Sequence, residues 1–401
     1  MQLQAVLLVR GRLTFFALAL AACTTPAPPP DAVMDDGGLD AAVVRDVGTD
    51  TNPDSSIPYP SGDPLSWPVD QPGPFHVGYR NFAFDYVPQG QTEMRHSVLH
   101  LWYPTLASAG THPRYGGIYV DPAALTDAPL AASPWPDHQF PLEVHSHGWR
   151  AFGGSSWVIL DNFVSHGWVV AAPEHTGSLL GVFDDPRPIA HYYERSLDIT
   201  TTIDLVRDLG ASDPLHGLVH TDRVFMTGHS FGVHTVWATT GGTFDVPTIM
   251  STFTPSGAWT DAELAVFGAG VADPRVVAAV PIAGTVDQSF FGAHGHESVH
   301  LPLMLLTGTM DSVDGATELV HVSPPVDFRW VSIEGACHNS FAVAGSCAAG
   351  APDADVAHMA NAYILSFARV QLLHDTDALA TGIVAGTHVV DARATFHAGH
   401  P

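Results

Sequence analysis

The sequence predicts an α/β protein with a mainly parallel central sheet and helices on both of its faces. Three observations carry this expectation. Short continuous apolar runs, such as WVVAAP (168–173) and LPLMLLTG (301–308), have the length and composition of strands buried on both faces. Other segments carry apolar residues at helical spacing. The two kinds alternate along most of the chain, as crossover helices between parallel strands require.

Taken in order, FAFDY (82–86) and HSVLHLWYP (96–104) are the first strands, the second with visible alternation. FPLEVHS (140–146) is a third strand, broken by Gly148. SSWVILDNFVSHG (155–167) places Trp157, Leu160 and Val164 at helical spacing, with serines at its start and Gly167 at its end. After the strand at 168–173, RSLDITTTIDLVRDLG (195–210) repeats that spacing through Ile199, Ile203 and Val206. RVFMTG (223–228) is a strand and FGVHTVWATT (231–240) a helix. RVVAAVPIAG (275–284), LPLMLLTG and FRWVSIEG (328–335) are three further strands, and Tyr363, Phe367 and Val370 mark a final amphipathic helix. Residues 241–275 break the rhythm with Gly, Pro, Thr and Phe, and read as an excursion over the carboxyl edge of the sheet. No internal repeat occurs, and 67–401 is expected to be one domain.

The N-terminus reads differently. Arg10 and Arg12 precede LTFFALALAA, which ends at Cys23, so 1–22 has the layout of an export signal. LAAC (20–23) resembles the bacterial lipobox. That resemblance implies a lipid on Cys23 and, with Thr24 next to it, sorting to the outer membrane or cell surface. Otherwise the protein is secreted or periplasmic. Residues 23–66 read as a tether: between Thr24 and Asp63 there are eight Asp, one Arg and seven Pro, too little apolar surface to offset ordering entropy.

Lys and Arg total 15 against 41 Asp and Glu, a net charge of −26, which argues against a nucleic-acid partner. The 24 histidines are scattered rather than placed at metal-ligand spacings. His145 and His147 read as structural hydrogen-bonding residues, Glu174 and His175 as groups that orient the surroundings. No metal or cofactor is expected, and the protein is expected to be monomeric.

The chemistry centres on TGHSFGVH (227–234). A lone serine is a poor nucleophile and needs a neighbouring base. In a G-x-S-x-G turn, small residues let a strand reverse sharply into a helix, lifting the hydroxyl above the sheet. Gly228 and Gly232 are those residues around Ser230. The partners should follow in the order Ser, acid, His, each after a later strand. Asp311 follows 301–308 and His338 follows 328–335. Asp314 competes with Asp311, which is preferred because it lies nearer the strand end.

These pieces, from GPFHVGYRNFAF (73–84) through FPLEVHSHGWRAFGGSSW, FVSHGWVVAAPEHTG and MTGHSFG to SIEGACHNSFA, cover most of residues 72–345. They resemble the α/β-hydrolase group that contains the plasma-type platelet-activating factor acetylhydrolases and the bacterial polyester hydrolases and cutinases. The resemblance implies Ser230 as nucleophile, His338 as base and Asp311 as its orienting acid. It implies the backbone amides of Phe231 and Trp149 as the oxyanion hole. Trp149, Phe231 and Trp259, the last on the excursion, are expected to wall the substrate pocket. Val233 departs from the acetylhydrolases, which carry a small residue there. A serine carboxylic-ester hydrolase acting on short acyl esters is therefore expected. A polyester or cutin-type polymer, or a non-catalytic binding lipoprotein of the same fold, stands beside it. Cys337 and Cys347, ten residues apart in an exported chain, are expected to form a disulfide.

Overall fold

The computed structural model describes residues 60–253, 259–311, 326–342 and 350–398. The signal segment, Cys23, most of the tether, Asp314 and Cys347 therefore lie outside the described residues.

Strands β1 (His76–Tyr86) and β2 (Arg95–Thr105) form an antiparallel pair. Three short strands follow, β3 (Arg114–Tyr115), β4 (Tyr119–Val120) and β5 (Ala124–Thr126), and then β6 (Phe140–Ser146). Helix α1 (Trp157–Ser165) leads into β7 (Val169–Pro173). A small hairpin of β8 (Ser178–Leu179) and β9 (Val182–Phe183) precedes α2 (His191–Arg207). β10 (Val219–His229) runs directly into α3 (Phe231–Thr239). The excursion carries α4 (Val246–Thr252) and α5 (Asp261–Ala269) before β11 (Val276–Ile282). After α6 (Gln288–Phe291) come β12 (Leu303–Gly308) and β13 (Phe328–Ile333). Helices α7 (Asp353–Leu372) and α8 (Ala378–Val384) and strand β14 (Ala394–Ala398) end the described chain.

Ten strands form one sheet in the order β14-β13-β12-β11-β10-β6-β7-β2-β1-β5. The stretch from β13 to β7 is parallel throughout, and antiparallel pairs flank it at β14 and at β2 and β1. Helices α2 and α3 pack together on the inner strands, and α1 packs with α7 against the sheet. The continuous apolar runs are the strands buried on both faces: every residue of β6, β7 and β12 is buried. Each fully buried Val or Leu there contributes roughly 1.5–3 kcal/mol relative to exposure.

The expected elements are present, with two kinds of difference. β10 starts at Val219 rather than at 223, because it pairs with Phe140 before a register irregularity and resumes at Val224. β5 and β14 were not anticipated; both are short edge strands with no sustained alternation. Residues 63–66 also belong to the folded part. Asp63 caps a short 3-10 turn at Pro64–Ser66, and buried Arg369 on α7 donates to the carbonyls of Leu65 and Trp67.

The excursion is anchored where expected. Asp245 N–H donates to Phe290 carbonyl (2.7 Å) and Thr243 N–H to Gly295 carbonyl (2.8 Å), in the segment that leaves the carboxyl end of β11.

Candidate active site

β10 ends at His229 and α3 begins at Phe231, so Ser230 alone makes the reversal. Its φ of 56° and ψ of −118° lie in a region that non-glycine residues rarely adopt. The turn is possible because the backbone passes close to itself. A Cβ on Gly228 would overlap the Gly232 carbonyl, and one on Gly232 would overlap the Ser146 carbonyl of β6. Ser230 N–H donates to Ile282 carbonyl at 2.9 Å, which ties the elbow to the end of β11.

Three chain segments then meet. His338 Nε2 lies 2.7 Å from Ser230 Oγ, and His338 Nδ1 lies 3.0 Å from Asp311 Oδ2. Asp311 follows β12, where its N–H bonds to Gly308 carbonyl and Met310 N–H bonds to Ala336 carbonyl. His338 opens a 3-10 turn (His338–Phe341) after β13. The Asp311 side chain is fully buried, whereas that of His338 is 39% exposed. The carboxylate is thus dry while the imidazole can reach both a substrate and water.

His229 supports this arrangement from beneath, its Nε2–H donating to His338 carbonyl at 2.8 Å. Burial, with the nearby His338 ring, pushes the His229 pKa down to about 4, so this donor is neutral near pH 7.

The turn after β6 faces the same serine. A Cβ placed on Gly148 would sit 3.1 Å from Ser230 Cβ. Among the described residues, neither Trp149 N–H nor Phe231 N–H has an intramolecular acceptor. Two free amide donors beside a serine hydroxyl form an arrangement able to bind a developing oxyanion. The Trp149 and Phe231 rings meet edge to face at 6.1 Å, and both are half-buried.

Trp259 was expected to share this wall, but among the described residues it makes no ring contact with Trp149 or Phe231. Its ring lies against Phe267 at 6.2 Å. Phe267 connects to Phe231 through intervening rings, by Phe290 and Tyr192 or by Phe244 and His234. The Thr260–Glu263 capping box starts α5 at Asp261, and the helix turns Phe267 into the aromatic core. Trp259, just ahead of the cap, is partly buried against that core.

A buried polar network holds the turn after β6. Arg195 on α2 donates to His147 carbonyl, to Ser146 Oγ (3.2 Å) and to Thr235 Oγ1 (3.1 Å). His175 bridges Ser146 Oγ (3.0 Å) and Asp198 Oδ2 (2.8 Å). Asp198 also accepts from Arg95 (2.7 and 2.8 Å) and Tyr86 (2.6 Å). Burial opposes the Asp198 charge, but Arg95 and His175 hold its carboxyl below the usual range. Burial, reinforced by Arg195, pushes the His175 pKa down to about 3. His147 accepts from His175 N–H at 3.0 Å and donates from Nδ1 to Gly148 carbonyl at 2.8 Å, which settles its tautomer.

His145 Nδ1–H donates to Thr227 Oγ1, whose hydroxyl donates to Glu143. Burial pushes the Glu143 pKa up to about 8, so it is protonated at neutral pH. His145 and His147 are therefore hydrogen-bonding residues of the sheet, as the sequence suggests. Glu174, 2.9 Å from His100, and His175 belong to the support of the same turn. Among the described residues no group of three or more His, Cys, Asp or Glu is placed to hold a metal ion. A cavity of about 530 Å³ between Phe75, His112, Val158 and Asn361 touches none of the residues above.

No protein-family model and no curated protein matches the chain. Among solved structures it is similar to a ferulic acid esterase from Streptomyces cinnamoneus, with 18% identity and a TM-score of 0.53. The match covers 79% of this chain and 94% of the other. The fold is that of the α/β-hydrolases. At that identity the likeness carries the fold alone. Within an α/β-hydrolase frame, Ser230, Asp311 and His338 lie where loops leave the carboxyl ends of β10, β12 and β13, and Trp149 where one leaves β6. The sequence reading missed His229, Arg195 and Asp198. His229 had one available signal, its place immediately before the elbow serine. Arg195 and Asp198 had another, an opposite-charge pair at i, i+3 inside an apolar helix pattern.

Proposed function

We propose that this protein is a serine carboxylic-ester hydrolase working through an acyl-enzyme on short-chain acyl esters. One observation carries the reading: the hydrogen-bonded relay Ser230–His338–Asp311 on a strained elbow, beside two amide donors without acceptors among the described residues. Ser230 Oγ attacks the ester carbonyl carbon while His338 Nε2 takes the hydroxyl proton. The Phe231 and Trp149 amides hold the oxyanion, and Asp311 holds the imidazolium. Collapse of the tetrahedral intermediate breaks the ester C–O bond, and the alcohol leaves with the proton from His338. Water, deprotonated by the same imidazole, then attacks the acyl-enzyme and frees the acid.

The ferulic acid esterase likeness is in keeping with ester chemistry on this fold. The intact relay weighs against a non-catalytic binding protein. The narrower likeness to the acetylhydrolases and polyester hydrolases rests on the sequence motifs. The bulk of Trp149 and Phe231 beside the serine sets the expected size limit. Each buried CH₂ contributes about 0.8 kcal/mol until the walls are reached. In a p-nitrophenyl ester series we expect kcat/KM to peak between acetyl and hexanoyl and then fall. A preference for long, emulsified acyl chains would make this a lipase, and rapid erosion of a polyester film would move the reading to the polymer hydrolases.

We also propose export and lipid anchoring at Cys23, with residues 24–62 as a spacer and a Cys337–Cys347 bridge beside His338. LAAC and the acidic, proline-rich run support the first, and the disulfide-bonded state of Cys337 supports the second. Full-length protein expressed in a bacterium should fractionate with membranes, and Cys23→Ala should shift it to the soluble fraction. Equal partitioning of the two forms would dismiss the anchor.

A further inference from the structure

We infer that Arg187 forms an anion-binding subsite next to the oxyanion donors, so that the preferred esters carry a carboxylate a few bonds from the scissile carbonyl. This deepens the ester-hydrolase reading and rests on it.

The Arg187 guanidinium carbon lies 3.9 Å from the centroid of the Phe231 ring and 4.1 Å from that of Trp149. These two side chains belong to the residues whose amides have no acceptor among the described residues. Nη1 donates to Tyr192 Oη at 3.2 Å. Nε is buried and has no partner among the described residues. The planar cation is thus stacked into a wall of the site and held in orientation, with the Nη2 edge unused among the described residues.

Charge makes the position unusual. The chain has no lysine and a net charge of −26, and most described arginines, Arg80, Arg95 and Arg275 among them, hold an Asp or Glu oxygen within 4.0 Å. Arg187 has no carboxylate at that distance among the described residues, although Asp184 and Asp185 lie just before it in sequence. Both are turned elsewhere, Asp185 to Arg150 (3.3 Å) and Asp184 to His191 (3.4 Å). Arg195 also lacks a carboxylate at that distance, but it donates to His147 carbonyl, Ser146 and Thr235, whereas the one hydrogen bond of the Arg187 guanidinium among the described residues is to Tyr192. Left unpaired and pre-oriented beside the reacting centre, it offers a carboxylate a charge-assisted contact that a neutral ester cannot make. The surrounding negative field of the chain repels anions at long range, so the selectivity must come from this local contact.

Two matched ester pairs test the proposal on the full-length protein. 4-Nitrophenyl hydrogen adipate against 4-nitrophenyl hexanoate places the carboxylate on the acyl side. 3-Acetoxybenzoate against 3-methylphenyl acetate places it on the alcohol side. The readout is the ratio of kcat/KM, anionic over neutral, in wild type, Arg187→Gln and Arg187→Lys. In at least one pair the wild-type ratio should exceed one, fall about ten- to a hundredfold in Arg187→Gln, and recover in part in Arg187→Lys, which keeps charge without the planar fork. The pair that responds identifies the side on which the anion binds. A ratio unmoved by Arg187→Gln in both pairs, whatever happens to absolute rates, overturns the subsite while leaving the hydrolase standing. Failure of wild type to hydrolyse either neutral ester overturns the hydrolase reading and the subsite with it.

Discussion

Ser230→Ala is expected to lower kcat for ester hydrolysis by about four to six orders of magnitude, the range found when an activated nucleophile is removed from a working triad. The effect should fall on turnover and not on folding. Ser230 is half-buried, and among the described residues its hydroxyl makes one hydrogen bond, to an imidazole that is itself 39% exposed. Losing a bond of this kind changes stability by about 1 kcal/mol. Alanine inherits the same strained φ of 56° as serine, so the elbow neither gains nor loses backbone strain. The check is a steady-state assay on purified variant and wild type, with thermal melts alongside. A Ser230→Ala variant that keeps the wild-type rate would remove Ser230 from the chemistry and, with it, the reading of His338 as its base.

The elbow was legible because backbone geometry imposes it: only small residues fit at 228 and 232, and a strand and a helix must flank the serine. Asp311 and His338 were legible for a related reason. Each follows a continuous apolar strand closely, so the end of the strand determines where the side chain can be. Elements that depend on pairing distant in sequence were not legible. β14 holds to β13 through a register running from Arg329–Ala398 to Ile333–Ala394, and nothing local in ATFHA announces it. Trp259 shows the same limit from the other side. The sequence places it on the excursion, but its neighbours are decided by where Phe267 is buried. The polar network under the turn after β6 was hidden because helical periodicity scores apolar residues. Arg195 and Asp198 lie on the buried face of α2 as surely as Ile199 does, yet they count against that pattern. They are tolerated because each buried charge has partners, since leaving one unpaired would cost several kcal/mol. Arg187 was hidden more thoroughly, since its importance lies in the carboxylates it lacks.

Asp311→Asn is expected to lower kcat by about ten thousandfold while leaving KM within a few fold. Asp311 Oδ2 sits 3.0 Å from His338 Nδ1, and an ionised carboxylate there can only accept, so Nδ1 keeps the proton and Nε2 presents a lone pair to Ser230. An asparagine amide can instead turn its NH₂ toward Nδ1. The imidazole would then carry its proton on Nε2 and could no longer take one from the serine hydroxyl. The imidazolium formed during attack would also lose its counter-charge in a place where the carboxylate is fully buried and water cannot substitute for it. The loss should therefore appear in kcat, because binding of the ester itself does not need the charge. Asp314→Asn serves as the comparison: it retains the same local chain but lies outside the described residues. Steady-state kinetics of the two variants on one short-chain ester decide between them. If Asp311→Asn stays within tenfold of wild type while Asp314→Asn collapses, the orienting acid is Asp314, and the 3.0 Å contact at His338 does not serve catalysis.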